Sequence, residues 1–476
     1  MKTTRLRSFV FIIGLIAATG AAMAYSAGKG KYWLSDFINE PPNTASRGSG
    51  PVTLGGRLVQ NKVVQGSDGK FHLALTLQAA ENLNPQSAEE HHVDMVIVLD
   101  RSGSMKGPKI YDARQAVLNL LSGLSAGDRF ALITYSDSVR QISALKPVTA
   151  DYGRQLRALI AGISVGGGTN LGDGLQTGID VMLSAHENGN VRKLILISDG
   201  LANKGITDST RLGQMAGVAV EKEFAISTVG VGTDFNEDLM TTIADRGAGN
   251  YYYLENPAAF ADVFQKEFFY SRATVATQVA ISFPLANGIT IVDAAGYPIS
   301  IQKNHAVFYP GDLRSGQSRK LFLTLQVPTG ATRDFEMGRI KVRYHYHGQL
   351  LETVLQGSYE IACVKDQREV QASIDKTSWA EKVVREDYNR LKQEVAADIK
   401  AGEKQKALQR INTYYREQES INAAVGSAEV TRNLDQDLRD LEQRVEDTFK
   451  GSPSAVSRKQ KSNSKALQYE GYKGRR

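Results

Sequence analysis

The 476-residue sequence predicts an α/β fold: a doubly wound, mostly parallel six-stranded sheet, flanked by a β-sandwich built from both sides and followed by a C-terminal helical region. Three observations predict it. Between residues 93 and 271, short apolar runs alternate with helical patterns, the rhythm of a parallel sheet covered by helices on both faces. On either side of that stretch apolar and polar residues alternate one by one, as half-buried antiparallel strands require. Beyond residue 376 the apolar residues recur in steps of three and four.

Residues 1–24 read as a targeting segment. Lys2, Arg5 and Arg7 precede an apolar run from Phe9 to Ala18, and Ala22-Met23-Ala24 supplies an A-x-A site before Tyr25. A secretory signal cleaved after Ala24 is expected, with an uncleaved N-terminal anchor as the alternative. The run is shorter than the ~20 apolar residues of a spanning helix, and no later segment is long and apolar enough to span a bilayer. An exported protein is therefore expected: periplasmic, cell-surface or secreted.

Residues 25–51, rich in Gly, Pro, Asn and Ser, read as a linker. In 52–92, residues 58–64 and the alternating Phe71, Leu73, Leu75 and Leu77 give strands of the sandwich. In 93–271, strands are expected at 93–99, 130–135, 194–198, 224–229 and 251–254, with 139–145 as an antiparallel edge. Helices are expected near 109–121, 152–160, 171–185, 209–221, 237–246 and 258–269. Residues 272–365 return to alternation (Val279, Ile281, Phe283; Leu321, Leu323, Leu325) and complete the sandwich, so the α/β domain is inserted into it. Residues 376–450 form three helices, broken at Ala401-Gly402 and Gly426-Ser427, as a small bundle or a coiled coil with a partner. The Ser/Lys-rich stretch 451–476 is expected to be a disordered basic tail, weakly drawn to anionic surfaces.

Charge and composition exclude several function classes. Of the net charge of +6, residues 1–24 carry +3 and residues from Lys450 onward carry +7, which leaves the body mildly acidic at −4. A basic nucleic-acid groove is thereby disfavoured. The single cysteine, Cys363, forbids an intrachain disulfide, a Cys-based zinc site and a C-x-x-C pair. There is no H-E-x-x-H, no G-x-S-x-G and no P-loop, and the glycines of Gly230-Val231-Gly232 and Gly247-Ala248-Gly249 lack the third of a dinucleotide fingerprint. No enzyme is expected.

The residues that carry chemistry end the first parallel strand: Asp100, Arg101, Ser102, Gly103, Ser104, Met105. In an open α/β sheet, the loops at the carboxyl ends of the strands form the ligand crevice. Carboxylate and hydroxyl oxygens are hard ligands suited to Mg²⁺, Mn²⁺ or Ca²⁺. Two more loops converge there: Gly166-Gly167-Gly168-Thr169-Asn170, with Thr169 at a helix start, and Ile197-Ser198-Asp199-Gly200, with Asp199 after a core strand. Arg101, Lys106 and Lys109 read as solvated charges nearby; Asn170 and Asn203 are candidates to hydrogen-bond the ligand loops.

This set resembles the metal-ion-dependent adhesion site of von Willebrand factor type A domains, D-x-S-x-S plus a distant Thr and a distant Asp, with Asp100, Ser102, Ser104, Thr169 and Asp199 all present. The stretches DMVIVLDRSGSM, GGTNLGDGL, LILISDGLANKGITD and STVGVGTDFNEDLM are similar to bacterial exported proteins of the calcium-activated chloride channel and inter-alpha-trypsin inhibitor heavy-chain group. The resemblance implies a Rossmann-like domain in which Ser102, Ser104 and Thr169 bind the ion directly or nearly so, and Asp100 and Asp199 act largely through water. It further implies an open position that accepts Asp or Glu from a protein partner, with Mg²⁺ the best fit. The alternative is an envelope assembly scaffold acting through its C-terminal helices, with the metal site only structural.

Overall fold

The computed structural model describes residues 50–81, 92–185 and 189–475. The expected signal segment, and all but the last two residues of the expected linker, lie outside these. No described helix is long and apolar enough to cross a membrane.

The centre of the molecule is β1 (Val93–Asp100), whose eight residues are all buried. An unbroken apolar strand has this fate because helices cover both faces of a parallel sheet. It pairs in parallel with β2 (Arg129–Tyr135) on one side and β4 (Val191–Ser198) on the other. The short β3 (Val139–Gln141) runs antiparallel to β2, while β5 (Ala225–Val231) and β6 (Ala248–Leu254) extend the sheet beyond β4 in parallel. The order is β6-β5-β4-β1-β2-β3, and Lys146–Pro147 adds a seventh short strand against the start of β2. Chain order therefore reverses between β1 and β4, which opens a crevice at their carboxyl ends.

Alternate residues of each strand feed opposite cores. Ile97, Leu99, Leu132, Ile195 and Ile197 pack under α1 (Pro108–Gly123), α2 (Ala150–Ala161) and α6 (Phe260–Arg272). Val96, Val98, Ile133, Leu194 and Leu196 pack under α3 (Leu171–Ser184), α4 (Ser209–Glu221) and α5 (Glu237–Arg246). Four of these helices begin on a side chain that accepts a free backbone N–H of the first turn: Thr149, Asn170, Asp208 and Asn236.

The flanks fold together. Lys70–Ala79 pairs antiparallel with Ser318–Gln326 across the whole intervening α/β domain, within a four-stranded sheet that also holds Val52–Leu58 and Thr290–Ala294. Its inner face shares a core, including Phe71, Leu73, Phe283, Leu323, Val342 and the lone Cys363, with the sheet built on Thr274–Pro284 and Lys341–Tyr346. Its other face, through Ala74 and Phe322, meets the C-terminal helices.

Those helices are α7 (Tyr388–Lys400), α8 (Lys404–Val425) and α9 (Leu438–Thr448), with Gly426 ending α8 at φ 67° as a left-handed cap. Leu391, Val395, Ile399, Ile411, Leu441 and Val445 pack on one another and on the sheet, so the stripes are covered by this chain itself.

One expectation is overturned. The stretch 451–476 is not a disordered tail: Pro453–Gly474 is a 22-residue helix, α10, with Ser464, Lys465, Leu467, Gly471 and Tyr472 buried. Ser452 caps it and Pro453 occupies its first turn. Its basic charge is met by acids of other elements: Lys461 pairs with Asp234 at 2.8 Å, Lys465 with Glu237 at 2.6 Å and Arg475 with Asp245 at 2.6 Å. Composition alone reads such a segment as unable to pack, because its neutralising partners lie more than 200 residues away.

Candidate metal centre

Three loops meet at the crevice between the carboxyl ends of β1 and β4. After Asp100 the chain turns into a single 3₁₀ turn, Gly103–Met105, which keeps Ser102 and Ser104 on one side. The Ser102 N–H donates to Asp100 Oδ1 at 2.8 Å, and the Ser102 and Ser104 hydroxyls lie 3.0 Å apart. Ser104 Oγ donates in turn to Asp199 Oδ1 at 2.7 Å. The glycine loop before α3 is strapped to the first by Gly103 N–H to the Gly167 carbonyl (3.1 Å) and Gly166 N–H to the Arg101 carbonyl (2.9 Å). Thr169 is buried, and its hydroxyl shares a small space with that of Ser104: a Cβ built on Gly200 would stand 3.4 Å from Ser104 Oγ and 3.5 Å from Thr169 Oγ1. The glycine after Asp199 thus leaves room where the hydroxyls converge.

The five predicted residues are therefore neighbours, held by partners of which the sequence flagged only some. Asn203 accepts the Thr169 N–H at 2.9 Å, whereas Asn170 caps α3 by accepting from the Asp173 N–H at 3.3 Å. Ser198, which the sequence reading passed over, donates to Asp100 Oδ2 at 3.0 Å. Asp137 accepts the Gly168 N–H at 2.8 Å and pairs with Lys204. Arg101 only reaches toward the Ser164 carbonyl at 3.5 Å.

Lys109 is a correction. Expected to be a solvated charge, it sits in the site: Nζ lies 2.5 Å from Asp199 Oδ2 and 3.3 Å from the Ser104 carbonyl. Pro108 opens α1 just upstream and aims its first turn back over the loop. On its far side the lysine faces Gly232, where an added Cβ would lie 3.5 Å from Nζ.

The electrostatics are those of a site short of positive charge. Asp100 and Asp199 are both fully buried. Burial pushes the Asp100 carboxyl up to about 6, against the hydrogen bonds from Ser102 and Ser198 that pull it down, and the neighbouring Asp199 adds to the rise. Among the described residues, Lys109 alone pairs with either carboxylate. Among the described residues there is no group of three or more His, Cys, Asp or Glu arranged to hold a metal. Any cation must therefore rest on hydroxyls beside two carboxylates.

The donors fit such an ion. Ligand oxygens about 2.1 Å from a magnesium ion and at right angles to one another are about 3 Å apart. The Ser102 and Ser104 hydroxyl oxygens are spaced at 3.0 Å. All donors are hard oxygens, as the ion requires.

Residues 94–266 match the family model of the von Willebrand factor type A domain. The Escherichia coli protein YfbK is 31% identical over 188 residues, covering 39% of this chain and 32% of that one. Inter-alpha-trypsin inhibitor heavy chain H4 of Homo sapiens is 31% identical over 157 residues, covering 32% and 17%. This chain thus spans a third or less of the length of either relative. Among solved structures, a von Willebrand factor type A protein from Catenulispora acidiphila superposes with a TM-score of 0.64 at 18% identity, covering 89% of this chain and 97% of that one. That likeness concerns the fold.

Proposed function

Because residues 94–266 match the von Willebrand factor type A family model, we propose that the chain is a metal-dependent, non-enzymatic protein-binding module of an exported protein. Ser102, Ser104 and Thr169 would hold a divalent cation, best Mg²⁺, with Asp100 and Asp199 supporting it through water. The bound ion supplies an electrophilic position for a partner's Asp or Glu carboxylate. The chain's own residues do the rest. Gly200 keeps the approach open, Ser198 and the Ser102 N–H orient Asp100, and Asn203 fixes the Thr169 loop. Few direct anionic ligands leave the ion's charge available to the partner.

The observation that carries this reading is the charge imbalance at the site: two buried carboxylates, a linked pair of serine hydroxyls, and one lysine paired with Asp199. Export is supported by the basic and apolar start of the sequence with its A-x-A site. The scaffold alternative loses support because the apolar stripes of α7, α8 and α9 are covered by this chain's own sheet and by one another.

The test is calorimetric titration of the chelator-treated protein with Mg²⁺, Mn²⁺ and Ca²⁺, together with capture of partners from envelope extracts with and without chelator and with Asp100→Ala. Saturable binding of at least one ion, and partners lost under chelation and in the variant, are expected. The same partners in all conditions, or no ion bound at millimolar concentration, rejects the reading.

A further inference from the structure

A second charged site lies at the other end of the sheet. A cavity of about 240 Å³ runs along the outer edge of β6, walled by α6, by the loop around residues 311–319 and by α10. Five cationic side chains line it, Lys193, Lys266, Arg314, Arg319 and Lys473, against one carboxylate, Asp312.

Among the described residues, Lys266, Arg314 and Lys473 have no carboxylate within ion-pair distance. Lys193, with its side chain only 7% exposed, is paired with Glu267 Oε2 at 3.7 Å and with Asp312 Oδ2 at 3.9 Å. Glu267 also accepts from Tyr252 OH at 2.5 Å, Asn250 Nδ2 at 2.7 Å and Ser227 Oγ at 2.9 Å. Asp312 accepts the Gln278 N–H at 3.0 Å. Arg314 and Lys266 rest on the ring of Tyr270, 3.6 and 5.4 Å from its centroid, and Arg319 holds the loop by donating to the carbonyls of Gly311 and Asp312, each at 3.2 Å. An excess of cations around one partly enclosed cavity is costly unless an anion offsets it.

We propose that this junction is a binding site for a compact polyanion carrying two or more negative charges, of the phosphoryl or polycarboxylate class. The charge count asks for more than one negative group. The volume, set against about 30 Å³ per water in the liquid, admits roughly eight water-sized groups, the size range of pyrophosphate and citrate. Because the walls come from the α/β domain, the sandwich and the last helix, an occupant ties the three together and stabilises the fold by mass action. The proposal is independent of the metal reading.

The experiment is calorimetric titration and thermal unfolding of the full chain with sodium pyrophosphate, sodium citrate and, as control, sodium chloride at matched ionic strength. Divalent ions are removed first, since both probes chelate them. Saturable binding below millimolar concentration with a rise in Tm is expected for at least one probe. Pyrophosphate alone assigns the phosphoryl class, citrate alone the polycarboxylate class, and both support selection by charge count. The double variant Lys266→Ala/Arg314→Ala should weaken binding at least tenfold with its circular dichroism unchanged. Lys193→Met should abolish binding; if that buried change prevents folding, the rim variant still decides. No saturable binding of either probe, or binding undiminished in the double variant, overturns the proposal.

Discussion

The two ends of β1 carry the same side chain and treat it in opposite ways. At the amino end, Asp94 is gripped by the Arg129 guanidinium, with Nε at 2.7 Å, and by Asn190 at 2.9 Å. The adjacent Asp128 is closed by Arg272 at 2.7 Å and by the N–H groups of Val93 and Ser125 at 2.8 and 2.7 Å. Burial pushes the Asp128 carboxyl up, but these hydrogen bonds outweigh it and hold it below its ordinary range. At the carboxyl end, among the described residues, Asp100 has hydroxyl and N–H partners but no arginine, and Asp199 has a single lysine. A guanidinium fork completes a carboxylate permanently, whereas hydroxyls and one flexible lysine leave room for a cation to come and go. One end is finished structure and the other is a candidate cation site.

That contrast is open to direct attack, beginning with Asp94→Asn. It strips the Arg129 guanidinium of its buried carboxylate and should cost about 3 kcal/mol in urea unfolding while leaving ion affinity unchanged. Equal loss of ion binding would show that the two ends are not separable. The converse change, Asp100→Asn, should weaken divalent-ion binding a hundredfold or more by calorimetry. It should not lower the stability of the ion-free protein, because a desolvated charge is removed.

pH separates the ends next. In the ion-free protein, folded Asp100 keeps its proton up to about pH 6, whereas the unfolded chain releases it near the ordinary 3.8. The folded state therefore binds the extra proton between those values, and Asp100 contributes a gain of about 2 kcal/mol as pH falls from 7 to 4. Asp128, with its lowered value, contributes stability that is lost only as pH falls through its own depressed range. Unfolding curves for wild type and Asp100→Asn should thus diverge between pH 6 and pH 4; parallel curves would remove the stated role of burial at Asp100. The smallest effect is that of Lys109→Met. Removing the resident ammonium should tighten Mn²⁺ binding about tenfold and make ion-free stability more dependent on added metal. Unchanged affinity would mean that the lysine does not compete with the ion.

The ligand loops were legible because a site at the end of a strand writes its donors locally: Asp100, Ser102 and Ser104 fall within five residues, and Thr169 and Asp199 each follow or precede a recognisable strand or helix boundary. Lys109 was not legible as a member. Its partner Asp199 is 90 residues away, and a lysine in the first turn of a helix otherwise points to solvent. The same reason hid α10, whose cations are neutralised by Asp234, Glu237 and Asp245. It also hid the parallel pairing of Lys62–Val64 with Glu360–Val364, since a three-residue strand carries no register of its own.

The sequence by itself determined the alternation of strands and helices, the two kinds of β pattern and the oxygen-bearing loops, because hydrophobic period and ligand type are properties of neighbouring residues. Only the tertiary structure decided which charges are completed and which are left short. Completion depends on acids and bases meeting across hundreds of residues, and that meeting turns one end of β1 into a brace, the other into a candidate cation site, and a basic stretch into a helix packed against the body.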